Sequence, residues 1–241
     1  MKGLQPTWMG PATHSDARLG QGLKLSVSQM DFPPVHPTIY GNNKGISVIV
    51  DRRFQVDFNP PSYFRNHSSA QKDGFGNAGT QVKWRMASGN ADHGNFALTA
   101  ILCHGFAPRT IQNQLLSSYY VPSIAAGKSL GRFATITTLG GFLPTAKVNA
   151  QGRAVEWNFT AQARVTDHVS FDVENNASFF HAGPFDGKTQ NFIAPAVFYM
   201  VRRKEWSPQH ASAVFICGEQ IATSGFHVYN HNLITEMRII F

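Results

Sequence analysis

The sequence predicts an all-β chain folded as a closed antiparallel transmembrane β-barrel of about twelve strands. Three observations carry that prediction. Apolar and polar residues alternate with period two along much of the chain, the connections between alternating stretches are short and long by turns, and the chain ends on an aromatic residue preceded by apolar residues at every second position.

The alternation is clearest between 154 and 179. Val155, Trp157, Phe159, Ala161, Ala163 and Val165 fall on one face of a strand, and Glu156, Asn158, Thr160, Gln162 and Arg164 on the other. After the turn Thr166-Asp167-His168, Val169, Phe171, Val173, Ala177 and Phe179 oppose Ser170, Asp172, Glu174, Asn176 and Ser178. Shorter copies run through Phe54, Val56 and Phe58 against Gln55, Asp57 and Asn59, and through Val82, Trp84 and Met86 against Gln81, Lys83 and Arg85.

Extending this reading along the chain places strands near 17–30, 38–50, 53–60, 77–88, 94–107, 118–128, 132–144, 153–165, 169–181, 189–202, 210–224 and 233–241. Connections at 51–52, 129–131 and 166–168 are short, whereas those at 59–76, 108–117 and 182–188 are long. Short turns on one rim and long loops on the other is the plan of an outer-membrane barrel. The domain reading is therefore an N-terminal periplasmic segment, 1–16, followed by the barrel, 17–241. Two prolines, Pro122 and Pro195, sit inside expected strands, where a missing N–H marks a bulge or a part of the strand above the membrane. The stretch 210–224 is apolar on both faces, so its inward side is left open.

Composition narrows the function classes. The 241 residues require no more than one domain. Charged residues make up only 15%, and 19 Phe with 21 Gly suit a barrel better than an ordinary soluble domain. The longest apolar stretch, 193–201, contains Pro195 and is far too short for a membrane helix, which needs about 20 residues. The net charge of +7 is scattered apart from Arg202-Arg203-Lys204, so nucleic acid is not an expected partner. Cys103 and Cys217 have no metal-ligand spacing and fall on nearly opposite walls, so they are expected to be unpaired.

In a membrane barrel the polar face points inward. The expected lumen lining is then basic at Lys24, Lys83, Arg85, Arg164 and Arg238, and acidic at Asp57, Glu156, Asp172, Glu174 and Glu236. The two signs balance, and cross-strand parity puts Arg164 diagonally within reach of Asp172 for an ion pair. A lining of compensating charges makes a weak ion filter. Periodicity alone does not say which face is inside, so a soluble lipocalin-like barrel with Trp157, Phe159 and Phe171 inward remains an alternative.

His181, Asp186, His227, Tyr229 and His231 are expected in extracellular loops. His227 and His231 lack a nearby carboxylate or cysteine, so hydrogen bonding within the loop is favoured over a metal site. Asp186-Gly187 and Asp73-Gly74 are turn chemistry. For a lipid-modifying enzyme, His104, Ser117, Ser118 and His181 are available in type, but none lies in a nucleophile motif, so no catalytic residue, cofactor or metal is assigned.

Several segments resemble a bacterial family of outer-membrane transporters labelled as the MetA pathway of phenol degradation. They are Gly3-Leu4-Gln5-Pro6-Thr7-Trp8, Lys72-Asp73-Gly74-Phe75-Gly76, His93-Gly94-Asn95-Phe96 and Ala125-Ala126-Gly127-Lys128, with the longer runs Phe179 to Phe192 and Gln220 to Asn232. The resemblance implies a barrel in the cell outer membrane that passes small solutes, aromatic or hydrophobic ones included, and it supplies no catalytic residues. The expected partners are the solute, outer-membrane lipid and, through Phe241, the barrel-assembly machinery, because Leu233, Thr235, Met237, Ile239 and Phe241 resemble the C-terminal signature of such barrels. No apolar leader follows Met1-Lys2, so Met1 is expected to be an internal methionine or the chain to be trimmed.

Overall fold

A computed structural model describes residues 6–42, 44–69, 71–106, 117–201 and 211–241. The chain is all-β, with strand following strand around a ring. β1 (Gly22–Asp31) pairs antiparallel with the last strand, β15 (His231–Ile240), from Gly22↔Ile240 to Asp31↔His231, and this pairing closes the sheet. Closure leaves no long open edge.

The wall has twelve staves. Three of them are interrupted strands: β2 (Thr38–Tyr40) continues into β3 (Ile46–Asp51), β4 (Phe54–Asn59) into β5 (Tyr63–Arg65), and β6 (Gly74–Phe75) into β7 (Ala78–Gly89). The eight staves between these and β15 are β8 (Phe96–Phe106), β9 (Tyr119–Leu130), β10 (Phe133–Pro144), β11 (Arg153–Arg164), β12 (Val169–His181), β13 (Thr189–Val201), β14 (Ser212–Ala222) and β15 itself. Each pairs antiparallel with its sequence neighbour. The number of staves matches the sequence expectation; their placement departs at the start, where β1 begins at Gly22 rather than near 17, and at the connection expected over 59–76, into which β5 and β6 extend the third and fourth staves so that the loop shrinks to 66–73.

The C-terminal residue and the residue before β1 meet at one rim, where the Phe241 N–H donates to the Gln21 carbonyl at 3.3 Å. The connections 52–53, 90–95, 131–132 and 165–168 lie on that rim, and the longer 66–73, 145–152, 182–188 and 223–230 lie on the other. The loop 145–152 carries the one-turn helix α1 (Val148–Gln151). Most of the long connection 107–118, and the basic run at 202–204, lie outside the described residues.

The outer face is apolar. Trp157, Phe159, Phe171, Val173, Val197, Phe215 and Leu233 are each between about 37 and 50% exposed, while their polar neighbours Thr160, Gln162, Asp172, Glu174 and Glu236 are buried. A soluble barrel would have these faces exchanged, because water on the outside would favour the polar set there.

The two strand prolines are accommodated alike. Pro122 keeps its pairing with Leu102 of β8, and Pro195 with Val173 of β12, but the ladder on the other side lapses beside each. A glycine stands opposite in both cases, Gly140 next to Pro122-Ser123 and Gly218 next to Pro195-Ala196, where a Cβ would collide with the facing strand. No register shift accompanies either proline, so the expected bulge is replaced by a local loss of ladder bonds.

Candidate functional site: a lumen occupied by the N-terminal segment

Residues 6–21 lie inside the barrel. The described part, 6–16, of the N-terminal periplasmic segment expected at 1–16 makes its contacts with the inner wall. The segment starts at the short-turn rim, where the Thr7 N–H donates to Asn95 Oδ1 at 3.0 Å. It rises to mid-barrel at Thr13 to Ser15 and returns to the same rim before β1. Period-two reasoning could not find it, because a segment docked by loop contacts has no face pattern of its own.

Two apolar seats hold it. Trp8 and Ala17 pack with Ala97 and Ile101 of β8, Ala125 of β9, and Ala134 and Ile136 of β10. Ala12, with Met9 beside it, packs on Ala196 and Phe198 of β13 and Val214 and Ile216 of β14. The second seat resolves the two-faced reading of 210–224: Val214 and Ile216 point inward, and Phe215 and Cys217 outward.

Between the seats the contacts are polar and charged. Glu174 of β12 accepts the backbone N–H of Ala12 at 2.5 Å, that of Thr13 at 3.0 Å, and the Thr13 hydroxyl. Arg238 of β15 donates to the carbonyls of Gly10 and Pro11, both at 2.6 Å, and to Glu236 at 2.6 Å through Nε. Lys44, from the break between β2 and β3, reaches the Ala12 carbonyl at 3.2 Å and Glu236 at 3.5 Å. Around the tip, His14 hydrogen-bonds Thr160 at 2.6 Å and Thr138 donates to the Ser15 carbonyl at 3.1 Å. On the return limb Thr99 donates to the Ala17 carbonyl at 2.5 Å, and the Gly20 N–H to Gln55 at 2.6 Å.

Asp16 organises the segment internally. It accepts from Trp8 Nε1 at 3.0 Å and from Arg18 Nε at 2.9 Å, while Lys83 of β7 donates to the Asp16 carbonyl at 3.0 Å. Burial alone would raise its carboxyl, but the Arg18 and Lys83 charges outweigh burial and hold it at about 2. Burial lowers the His14 imidazole below its ordinary value, so it is neutral at pH 7.

The expected lumen residues divide into groups. Lys24, Asp57, Lys83, Glu156 and Arg238 line a cavity of about 1160 Å³ shared with the N-terminal segment. Asp172, Glu174 and Glu236 are buried on the inner wall, and Arg85, also buried, turns to the rim and donates to the Arg52 carbonyl. Arg164 is exposed at the end of β11, and the Asp172 carboxyl oxygens have no hydrogen-bond partner among the described residues, so the expected Arg164 to Asp172 ion pair does not form. The barrel tilt decides this: a strand-end side chain meets the rim, not the diagonal partner that parity suggests. Sequence reasoning missed Asp16, Arg18 and Lys44. The signal it passed over was apolar bulk on inward positions of β8, β10, β13 and β14.

The expected loop residues also separate. His181 is the last residue of β12 and is exposed, and Asp186 in the following loop accepts the Ala182 N–H at 2.7 Å. His227 bonds within its loop, to the Ser224 carbonyl at 3.0 Å and Asn230 Oδ1 at 2.9 Å. His231 is the first residue of β15, not a loop residue, and lies 3.2 Å from Glu219. Tyr229 departs most: it turns into the lumen, stacks on Phe192 at 4.4 Å and donates to Gln220 at 3.1 Å, and burial pushes its phenol up. No group of three or more potential metal ligands in metal-binding geometry occurs among the described residues. Cys103, on the cavity side, and Cys217, on the outer face, are both free thiols. The Ser117 hydroxyl is taken up by the Ala146 carbonyl at 2.8 Å and Gln151 at 2.9 Å, and the His104 ring stacks on Tyr120 at 4.5 Å.

No protein-family model matches the chain, and no curated protein does. Solved structures do. The NanC porin shares 6% identity over 91% of this chain and 98% of its own, with a TM-score of 0.62. The COG4313 outer membrane channel from Pseudomonas putida F1 shares 12% identity over 97% of this chain and 100% of its own, with a TM-score of 0.57. The chain thus has the closed twelve-strand antiparallel barrel fold seen in outer-membrane channels.

Proposed function

We propose that this protein is an outer-membrane channel for small solutes, aromatic or hydrophobic compounds included, whose lumen is narrowed by its own N-terminal segment. The observation that carries this reading is the inverted distribution of side chains. A closed ring of strands turns a continuous apolar surface outward and keeps the charged side chains of its mid-strand positions inside, which suits hydrocarbon without and water within. Similarity to channels rather than enzymes supports a transport role, and so does the resemblance noted from the sequence. The remaining cavity of about 1160 Å³ is large enough for a small organic solute. Its lining mixes Lys24 and Lys83 with Asp57 and Glu156, so the channel discriminates weakly between small ions.

Reconstitution tests the reading. Purified barrel is expected to require detergent, to migrate anomalously on gels until heated, and to conduct in planar bilayers with a reversal potential near zero in a salt gradient. Phe159→Arg, on the outer face, should cost roughly 2 to 4 kcal/mol in lipid if it lies near the midplane, whereas Asn158→Arg, facing the cavity, should cost little. A protein stable and monomeric without detergent, or equal losses at the two positions, would overturn it.

A further inference from the structure

The charged side chains along the cavity differ in what they already hold. Asp16 and Arg18 pair with each other, Arg238 pairs with Glu236, Lys83 is spent on carbonyls of the N-terminal segment, and Asp57 accepts from Gln55 at 2.6 Å. The Glu156 side chain makes no hydrogen bond or ion pair with the described residues, although it lines the cavity. A carboxyl facing the cavity with no protein counter-charge is open to a ligand that supplies one.

The wall around Glu156 is shaped by missing bulk. Across four adjacent strands its row reads Ser123, Gly140, Glu156 and Ser178, as set by the pairings Ser123↔Gly140, Gly140↔Glu156 and Glu156↔Ser178. Three small residues flank one long acid. The glycine is required at 140 because a Cβ there would strike Ser123 where the Pro122 ladder lapses, so the niche follows from backbone geometry. On the long-loop side the niche is bounded by Tyr119 and Phe142, whose rings lie 5.0 Å apart at 41°. Tyr119 is fixed over Gly105, where any Cβ would run into its ring. On the opposite side stands the tip of the N-terminal segment, with Ser15 held by Thr138. All of these residues border the same cavity.

We infer that this niche is a binding subsite for a small organic cation, a protonated amine carried on an aromatic or short apolar body, with the ammonium on Glu156 and the body against Tyr119 and Phe142. The carboxylate supplies a charge-assisted hydrogen bond, and the ring faces attract both a cation and an apolar group. The small residues give the ligand room against the wall, and the tip of the N-terminal segment keeps it from passing straight through. The assignment rests on the channel reading only in taking the cavity as solute-accessible.

Calorimetry on the full chain in detergent tests it without requiring transport. Phenethylammonium, 2-phenylethanol and 3-phenylpropionate present the same body with positive, neutral and negative heads. The cation is expected to bind at least tenfold more tightly than the alcohol, and the anion more weakly still. Glu156→Gln should remove the cation's advantage and leave the alcohol unchanged, while Phe142→Leu should weaken cation and alcohol together. Equal affinities for the three probes in the wild type, or an unaltered cation preference in Glu156→Gln, would overturn the subsite. Liposome flux separates the two readings: flux without cation preference removes the subsite and leaves the channel, and cation binding without flux does the reverse.

Discussion

The lumen wall grips one N-terminal segment by two opposite chemistries. The β8 to β10 wall receives Trp8 in a dry seat of Ala97, Ile101, Ala125, Ala134 and Ile136. The wall formed by β12 and β15 instead meets the backbone of residues 10–13 with Glu174 and with Arg238, which Glu236 pairs from behind. An apolar seat contributes affinity in proportion to buried area and tolerates small shifts. Charged groups aimed at backbone N–H and C=O fix register and direction, because the carboxylate must meet donors and the guanidinium acceptors. The comparison assigns holding to Trp8 and alignment to Glu174 and Arg238.

The largest way to break that comparison is at Arg238. Arg238→Ala leaves Glu236 buried with Lys44 as its remaining close partner and frees two segment carbonyls. It should lower barrel stability by about 3 to 5 kcal/mol, as for other broken buried pairs. A heat-modification midpoint equal to wild type would show that the pair carries no such burden. Trp8→Ala comes next, with a loss on the order of 3 kcal/mol, the low end for a buried aromatic because the segment can withdraw and admit water. The loss should fall on docking and not on the barrel. Conductance and protease sensitivity of residues 6–21 should rise while the melting of the strands is unchanged, and a matching fall in barrel melting would erase the distinction between holding and wall stability.

Glu174→Gln sharpens the polar half. It keeps an acceptor but gives up the charge, so docking should weaken by roughly 1 to 2 kcal/mol. Noisier gating with little change in mean conductance is the expected trace, and a fully open channel would mean that Glu174 does the holding as well. The smallest effect is that of pH. His14 is held neutral by burial, so the undocked segment binds a proton more readily than the docked one. Docking is therefore fully favoured above about 6.5, the ordinary histidine value, and weakens as pH falls below it. Asp16 adds stability that is complete above its ordinary value of 3.8 and is lost as pH falls toward about 2. Conductance should increase below pH 6.5 in the wild type, and a His14→Gln channel should lack that first step; an increase on raising the pH instead would contradict the assignment.

The sequence by itself determined the barrel and the number of its staves. Strand alternation is a local consequence of the pleat, so Trp157, Phe159, Glu174 and Glu236 declare two faces wherever the strand lies. It also fixed which residues share a face at Lys24, Asp57, Lys83, Glu156 and Arg238. What only the tertiary structure decided is which face is inside, where residues 6–21 go, and which charges are left free. The N-terminal segment has no periodicity to read because side chains far along the chain set its path, Asn95, Gln162, Glu174 and Arg238 among them. Arg164 and Arg238 look alike as inward basic residues. One ends at a rim in solvent and the other is buried against a backbone it grips, because the tilt of closed strands sets depth, and depth has no signature in a pattern of period two.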